Sequence, residues 1–331
     1  MTTLTGRATD RSGHNAVPKT VLLVVAVVAG AMVGVQGRIN GELATRMHSA
    51  LEAAFASFLV GLVIVGTAAL FRRAGFARLR RATVRPWWWF GGLGGAFLVA
   101  SSAHAVPEIG VALVSVCLVA GTTTGALVTD QLGLGPGGRQ PATTWRLAGV
   151  GLVVVAVVIG AVGQGTGVLR PLLYLVLFAA GAATAVQQAG NGQLRVAADD
   201  VVVASFVNFV GGTTALLIVT AAAGELSLHT WPSTLWLYLG GPLGVFYILV
   251  GAVAVRILGV LRFVLAAVAG QLIAAVILDA VWPESGTELR AATVVGAALT
   301  VGGVWLSGRG GARLHLAGRS RESTSAGSVH D

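Results

Sequence analysis

The amino-acid sequence predicts an all-α integral membrane protein of ten transmembrane helices, arranged as two five-helix repeats of inverted topology. Three observations predict it. The 331 residues are 55% hydrophobic and only 11% charged, where a soluble domain carries roughly a quarter charged residues. Ten apolar runs come close to the ~20 residues that a helix needs to cross a bilayer. The first half of the chain also matches the second at offsets of 151 and 149 residues. The composition excludes an ordinary soluble enzyme and a disordered chain. A single cysteine, Cys117, excludes a disulfide scaffold and a cysteine-rich metal site.

The predicted spans are residues 20–39, 50–71, 87–105, 110–130, 146–164, 171–189, 201–222, 235–255, 259–280 and 291–308. Continuous apolar runs with internal Gly and Ala suit helices that pack closely in lipid. The alternating ten-residue strands of a membrane barrel are absent. Residues 1–18 and 309–331 are polar and read as disordered cytoplasmic tails. Between them, 19–166 and 167–308 form the two five-helix units. Ala29 and Ala31 could end a signal peptide, but that segment belongs to the repeat.

The net charge of +9 would suggest nucleic acid in a soluble chain. Here the basic residues occupy links between apolar runs, so no nucleic-acid partner is expected. With the N-terminus inside, 18 of the 22 Lys and Arg residues fall on the inner side. Six of them (Arg72, Arg73, Arg78, Arg80, Arg81 and Arg85) share one link. Only Arg38, Arg46, Arg170 and Arg290 fall outside. Positive charge concentrates on the cytoplasmic side of membrane proteins, which puts both termini in the cytoplasm. Trp87, Trp88 and Trp89 read as an aromatic belt beside the arginines, with Trp231 and Trp236 as the outer belt.

Residues 21–61 match 172–212, and 91–130 match 240–279, without gaps. The informative matches are polar or glycine: Gln36 with Gln187, Asn40 with Asn191, Gly41 with Gly192, Gly91–Gly92 with Gly240–Gly241, Gly95 with Gly244, Ala120–Gly121 with Ala269–Gly270, and Asp130 with Asp279. Five spans per unit is an odd number, so the second unit enters the membrane from the opposite side. Two such units form an inverted repeat, an architecture of secondary transporters.

Polar side chains within apolar spans are costly and therefore informative. Thr122 and Gln271 each stand thirteenth in matched spans, near the midplane, with Thr123 and Thr124 beside Thr122. Asn208, its repeat partner Ser57, and Ser101 and Ser102 are also within spans. Thr122, Thr123, Gln271, Asn208, Ser57 and Ser101 are the substrate-binding candidates. The alternative is that they bond neighbouring helices, and a Ser or Thr hydroxyl can bond its own helix backbone. Gln36 and Asn40 share a helix face, as do Gln187 and Asn191. The two pairs either line opposite gates or terminate their helices, since both run into the turn-forming Asn-Gly. Asp130 and Asp279 are candidates for proton coupling. His104 and Glu108 have no third ligand, so no metal is expected. Glu42, His48 and Glu52, and Asp199–Asp200, read as groups that solvate loop ends. The glycine run 133–138 lacks the Lys-Ser/Thr ending of a phosphate loop, and no cofactor is implied.

The sequence resembles the drug/metabolite transporter superfamily, specifically its YdcZ-like inner-membrane family, as a fused two-unit form. The resemblance rests on Val35–Gln36 through Asn40–Gly41, Phe58 to Gly61, Pro86–Trp87–Trp88 with Gly91–Gly92 to Phe97, Pro107 to Gly110, Ala120–Gly121 and Asp130 to Gly133. In the second unit it rests on Gln187 to Leu194, Asn208 to Gly212, Gly240 to Phe246 and Ala269–Gly270–Gln271 to Asp279. It implies a transporter of small metabolites or drugs, often labelled an exporter, with no identified substrate. The family's Ala-Gly-Gln pattern survives at Gln271 but reads Thr122 in the first unit. The buried Glu in the first span of the small multidrug transporters has no counterpart between Val21 and Gly37.

The expectation is a secondary transporter that exports a small organic solute by alternating access, with possible proton coupling and no catalytic residues. The site is expected between the third, fourth, eighth and ninth spans. A non-transporting membrane scaffold or lipid-binding protein is the alternative. A membrane enzyme ranks last, because no nucleophile–base or multi-carboxylate cluster stands at a common depth.

Overall fold

The computed structural model describes residues 18–162, 170–227, 231–258, 260–282 and 290–307. The predicted tails and the predicted junction between the two units lie outside the described residues. Among those residues every regular element is helical: α1 (Lys19–Met47), α2 (Ala50–Ala69), α3 (Arg73–Arg81), α4 (Gly91–Leu132), α5 (Thr144–Val162), α6 (Pro171–Ala198), α7 (Val201–Ala222), α8 (Gly240–Leu258), α9 (Val260–Val281) and α10 (Ala291–Ser307). Short 3₁₀ turns, Pro86–Phe90 and Leu235–Tyr238, lead into α4 and α8. Seven stretches are long and apolar enough to cross a membrane.

One of these, Pro86–Leu132, has 47 residues. At about 1.5 Å per residue it would be more than twice the ~30 Å hydrocarbon thickness. Its regularity breaks at Gly110, whose φ of 79° and ψ of 161° suit glycine alone. Pro107, one turn earlier, withholds a backbone donor. The predicted spans 87–105 and 110–130 are therefore two halves of α4, hinged at Gly110.

The helix ends recur at the 151-residue offset. Ser49 caps α2 by accepting the Glu52 N–H at 2.9 Å, and Asp200 caps α7 by accepting the Val202 N–H at 2.8 Å. His48 (φ 54°) closes α1 and Asp199 (φ 47°) closes α6, both left-handed.

One sequence reading is corrected. The Asn-Gly pairs do not terminate their helices: α1 continues through Asn40–Gly41 to Met47, and α6 through Asn191–Gly192 to Ala198. Asn40 is buried, and a side chain on Gly41 would run into Val106. Breaking a helix inside a packed membrane bundle strands backbone donors and acceptors, and this outweighs local turn preference. The six-arginine link is partly helical. It contains α3, which buries Gly75 and Leu79 against Leu194, Ala198 and Val203.

Glycines set the packing distances. α1 lies on α9, and the second half of α4 lies on α6. Gly30 meets the Ala267 backbone, and Gly181 meets Leu118 and Thr122. Gly270 meets the Val27 backbone, and Gly121 meets Phe178. Each contact has its counterpart at the repeat offsets. A Cβ at any of the four would collide with backbone, so the close approach of these helices requires the small residue. An apolar core lies around the second half of α4, where Val111, Leu113 and Cys117 pack with Tyr174, Leu177 and Ala180.

Candidate functional site

α2 and α7 run antiparallel and pack along their length. Ser49, at the start of α2, donates to Glu225 just past the end of α7 (2.6 Å). Phe76, beyond the end of α2, meets Phe206 near the start of α7. Where the helices pass, Phe58 and Phe209 pack with ring centroids 5.4 Å apart and their planes tilted by 53°. These two positions differ by 151 residues, so each is the other's repeat partner. Gly61 seats Phe209, and Gly212 seats Phe58.

A polar cluster flanks this phenylalanine pair on either side. In one, Ser57 Oγ donates to Asn40 Oδ1 at 2.5 Å, and both residues are buried. Gly240 of α8 packs directly on them, and Gly244 faces the Gln36 amide. In the other, Asn208 Oδ1 accepts Gln187 Nε2 at 2.9 Å and Asn191 Nδ2 at 3.1 Å. Gly91 of α4 faces Asn191 and Asn208, and Gly95 faces both Gln187 and Phe58. The two clusters use corresponding residues: 36 and 187, 40 and 191, 57 and 208.

Their chemistry differs. The Ser57 hydroxyl satisfies the Asn40 carbonyl. In the three-amide cluster one carbonyl takes both donors, which leaves Gln187 Oε1 and Asn191 Oδ1 buried without a hydrogen-bond partner. Each orphaned acceptor costs about 1–3 kcal/mol. The cluster can accept two hydrogen bonds from an incoming donor.

The other sequence candidates lie elsewhere. Thr122 bonds the Leu118 carbonyl at 2.8 Å and reaches the Gly181 carbonyl of α6 at 3.2 Å. Thr123 bonds the Val119 carbonyl at 2.7 Å. Ser101 bonds the Phe97 carbonyl at 2.6 Å. Gln271 sits beside Gly34 on the α1–α9 seam, while Thr122 is on the α4–α6 seam. No hydrogen bond joins Thr122 to Gln271 among the described residues.

The two aspartates have different partners. Asp279 is buried and accepts the Val111 and Ala112 N–H groups at 2.9 and 2.8 Å. It thereby caps the half-helix that starts after Gly110, a favourable place for a negative charge. Asp130 pairs with Arg146 at the start of α5. His104 lies 3.4 Å from Glu108, and Glu108 pairs with Arg170. No group of three metal-ligating side chains occurs among the described residues.

Glu52 corrects the reading of loop-end carboxylates as solvated. It is buried, and its Oε1 accepts the Ser227 N–H at 2.9 Å and the Trp231 indole N–H at 2.8 Å. Trp231 is thus held by its polar edge as well as by the Phe55 and Tyr238 rings. The signal was present in Ser49-x-x-Glu52, a capping-box pattern whose acid reaches across to the α7–α8 link. Phe58 and Phe209 were marked only by their matched positions and by the resemblance stretches that contain them, with nothing to say that they meet.

No curated protein matches the chain. A protein solved by crystallography is 23% identical, with a TM-score of 0.50 over 87% of this chain and 96% of that chain. At that identity the likeness speaks for the fold alone. A family model described as "Putative inner membrane exporter, YdcZ" matches residues 21–159 and again 172–306. The two matched stretches correspond to the two units expected from the internal repeat. The chain is a two-unit member of the YdcZ-like inner-membrane exporter family of drug/metabolite transporters, a multi-pass protein of the inner membrane.

Proposed function

We propose that the protein is a secondary transporter that exports a small organic solute by alternating access between two amide-lined half-sites. The chain would cross the membrane ten times, with α4 supplying two spans and α1, α2 and α5 to α10 one each, and both termini in the cytoplasm. Units 19–166 and 167–308 would be inverted copies, with their pseudo-two-fold axis passing between Phe58 and Phe209. The observation that carries this reading is the tilted Phe58–Phe209 contact with a corresponding polar cluster on either side (5.4 Å between centroids).

Alternating access needs a barrier near mid-membrane and equivalent polar surfaces above and below it. The phenylalanine pair supplies the barrier. Gln36, Asn40 and Ser57 supply one surface, and Gln187, Asn191 and Asn208 the other. Small rotations of α4 and α8, whose glycines line these clusters, would uncover one surface while covering the other. The unpaired carbonyls of Gln187 and Asn191 favour a solute that carries N–H or O–H donors. Thr122, Thr123, Ser101 and Gln271 are second-rank contacts along the neighbouring seams. Asp279, released from its helix cap, and Asp130, released from Arg146, are the places where a proton could be coupled to the rocking.

The test is flux. Purified protein in proteoliposomes would be loaded with a panel of small metabolites, with a proton gradient imposed in either direction. Accelerated efflux of some solutes, lost in Asn208→Leu, supports the proposal. No flux of any panel member under either gradient argues for a scaffold instead.

A further inference from the structure

Away from the phenylalanine pair, a groove of about 610 Å³ opens on the outer surface of the bundle between α2, α3 and α7. Leu62, Gly66 and Leu70 form one wall, Phe76 and Phe206 form the other, and Arg73 stands at the end where α2 leaves the apolar segment. Leu62 to Leu70 rises about 12 Å along α2, close to the ~15 Å hydrocarbon depth of a single leaflet. The groove is therefore as long as one leaflet is deep, apolar along its length and basic at one end.

The charge around Arg73 is not balanced. Arg72 and Arg78 face Asp200 and Asp199 at 3.9 and 3.5 Å. Arg73, Arg80, Arg81 and Arg85 are exposed, with no ion pair to an acid among the described residues. Arg73, Arg80 and Arg81 stand at i, i+7 and i+8 of α3, which is one helix face, while Gly75 and Leu79 bury the opposite face. A water-soluble anion has no use for the apolar groove, and an uncharged lipid has none for the arginines.

We infer that this groove binds one anionic phospholipid, with an acyl chain lying along Leu62, Gly66 and Leu70 and the phosphate on Arg73 and its α3 neighbours. The site requires only that the chain lies in a membrane and stands whether or not the protein transports a solute.

Native mass spectrometry of the full-length protein in detergent tests it, with phosphatidylglycerol and phosphatidylcholine of identical acyl chains as probes. Phosphatidylglycerol is retained and phosphatidylcholine is not. Arg73→Gln and Arg80→Gln each lower retention about fivefold, the effect of one arginine near an anionic headgroup. Arg139→Gln, on a different link, leaves it unchanged. Gly66→Leu fills the groove without touching the arginines and lowers retention as much. Val63→Phe on the exposed rim repeats that result if Gly66→Leu folds poorly. Equal retention of the two lipids overturns the proposal, as does undiminished binding in the groove-filled variants. Displacement of the lipid by inorganic phosphate alone also overturns it, because the site would then be a surface anion site.

Discussion

Asn208 Oδ1 receives two N–H groups, from Gln187 and Asn191, so removing that one oxygen strands both donors and leaves four unsatisfied amide groups. Asn208→Leu is expected to lower flux by on the order of tenfold or more, the kinetic equivalent of losing 1–3 kcal/mol of polar contacts. Thr124→Val serves as the comparison. Its hydroxyl bonds its own helix carbonyl, Ala120, at 2.8 Å, and flux in that variant stays within about twofold of wild type. The aspartates separate in the same way, by stability. Asp279→Asn weakens two charge-assisted bonds to the buried start of a half-helix and costs about 1.5–3 kcal/mol. Asp130→Asn loses a pair on a more accessible surface and costs about 0–1 kcal/mol. Denaturant unfolding in detergent measures both. The sequence named all four of these residues, because polar groups in apolar runs are visible one at a time. It could not rank them, since what matters is whether a hydroxyl turns back on its own helix or an amide meets another amide seventeen or twenty-one residues away.

Helix pairs test the repeat more directly than single polar groups do. Gly121 and Gly270 each rest on the backbone of a partner helix, Phe178 of α6 and Val27 of α1. Gly121→Ala and Gly270→Ala are expected to destabilise by similar amounts, about 1–3 kcal/mol each from overpacking. Gly151→Ala, where a Cβ meets nothing within 4 Å, is expected to be neutral or slightly stabilising. Thermal unfolding with lipid held constant reads all three. Unequal costs at the two matched glycines would contradict equivalent packing of the two units. At this scale the sequence reading placed most spans within a few residues, and α7 began and ended where expected. It failed where a local signal opposed the environment. Asn-Gly is a turn in water, yet both pairs lie inside long helices. The arginine link carried no expectation of a helix, yet Gly75 and Leu79 are enough to seat one of nine residues.

For the molecule as a whole, sidedness and inversion make a single prediction. In a Cys117→Ser background, Gly137→Cys in the α4–α5 link is expected to react with a membrane-impermeant maleimide only from the cytoplasmic side. Ser233→Cys in the α7–α8 link is expected to react only from the opposite side. Labelling in right-side-out and inside-out vesicles reads this out. Both cysteines reacting from one side would remove the inverted topology and, with it, alternating access as proposed.

The sequence by itself determined that this is a membrane protein of two related halves. Composition, run length and arginine placement are sums over the chain, and the repeat is a comparison of the chain with itself. Only the tertiary structure decided which polar residues meet. Phe58 and Phe209 meet although 151 residues separate them, and Glu52 reaches Ser227 and Trp231 in the other half. Within a bilayer nearly every exposed face is apolar, so hydropathy cannot tell a lipid-facing side from a helix-facing one. Helix–helix choice then falls to close fit and a few hydrogen bonds, and these exist only once both halves are in place.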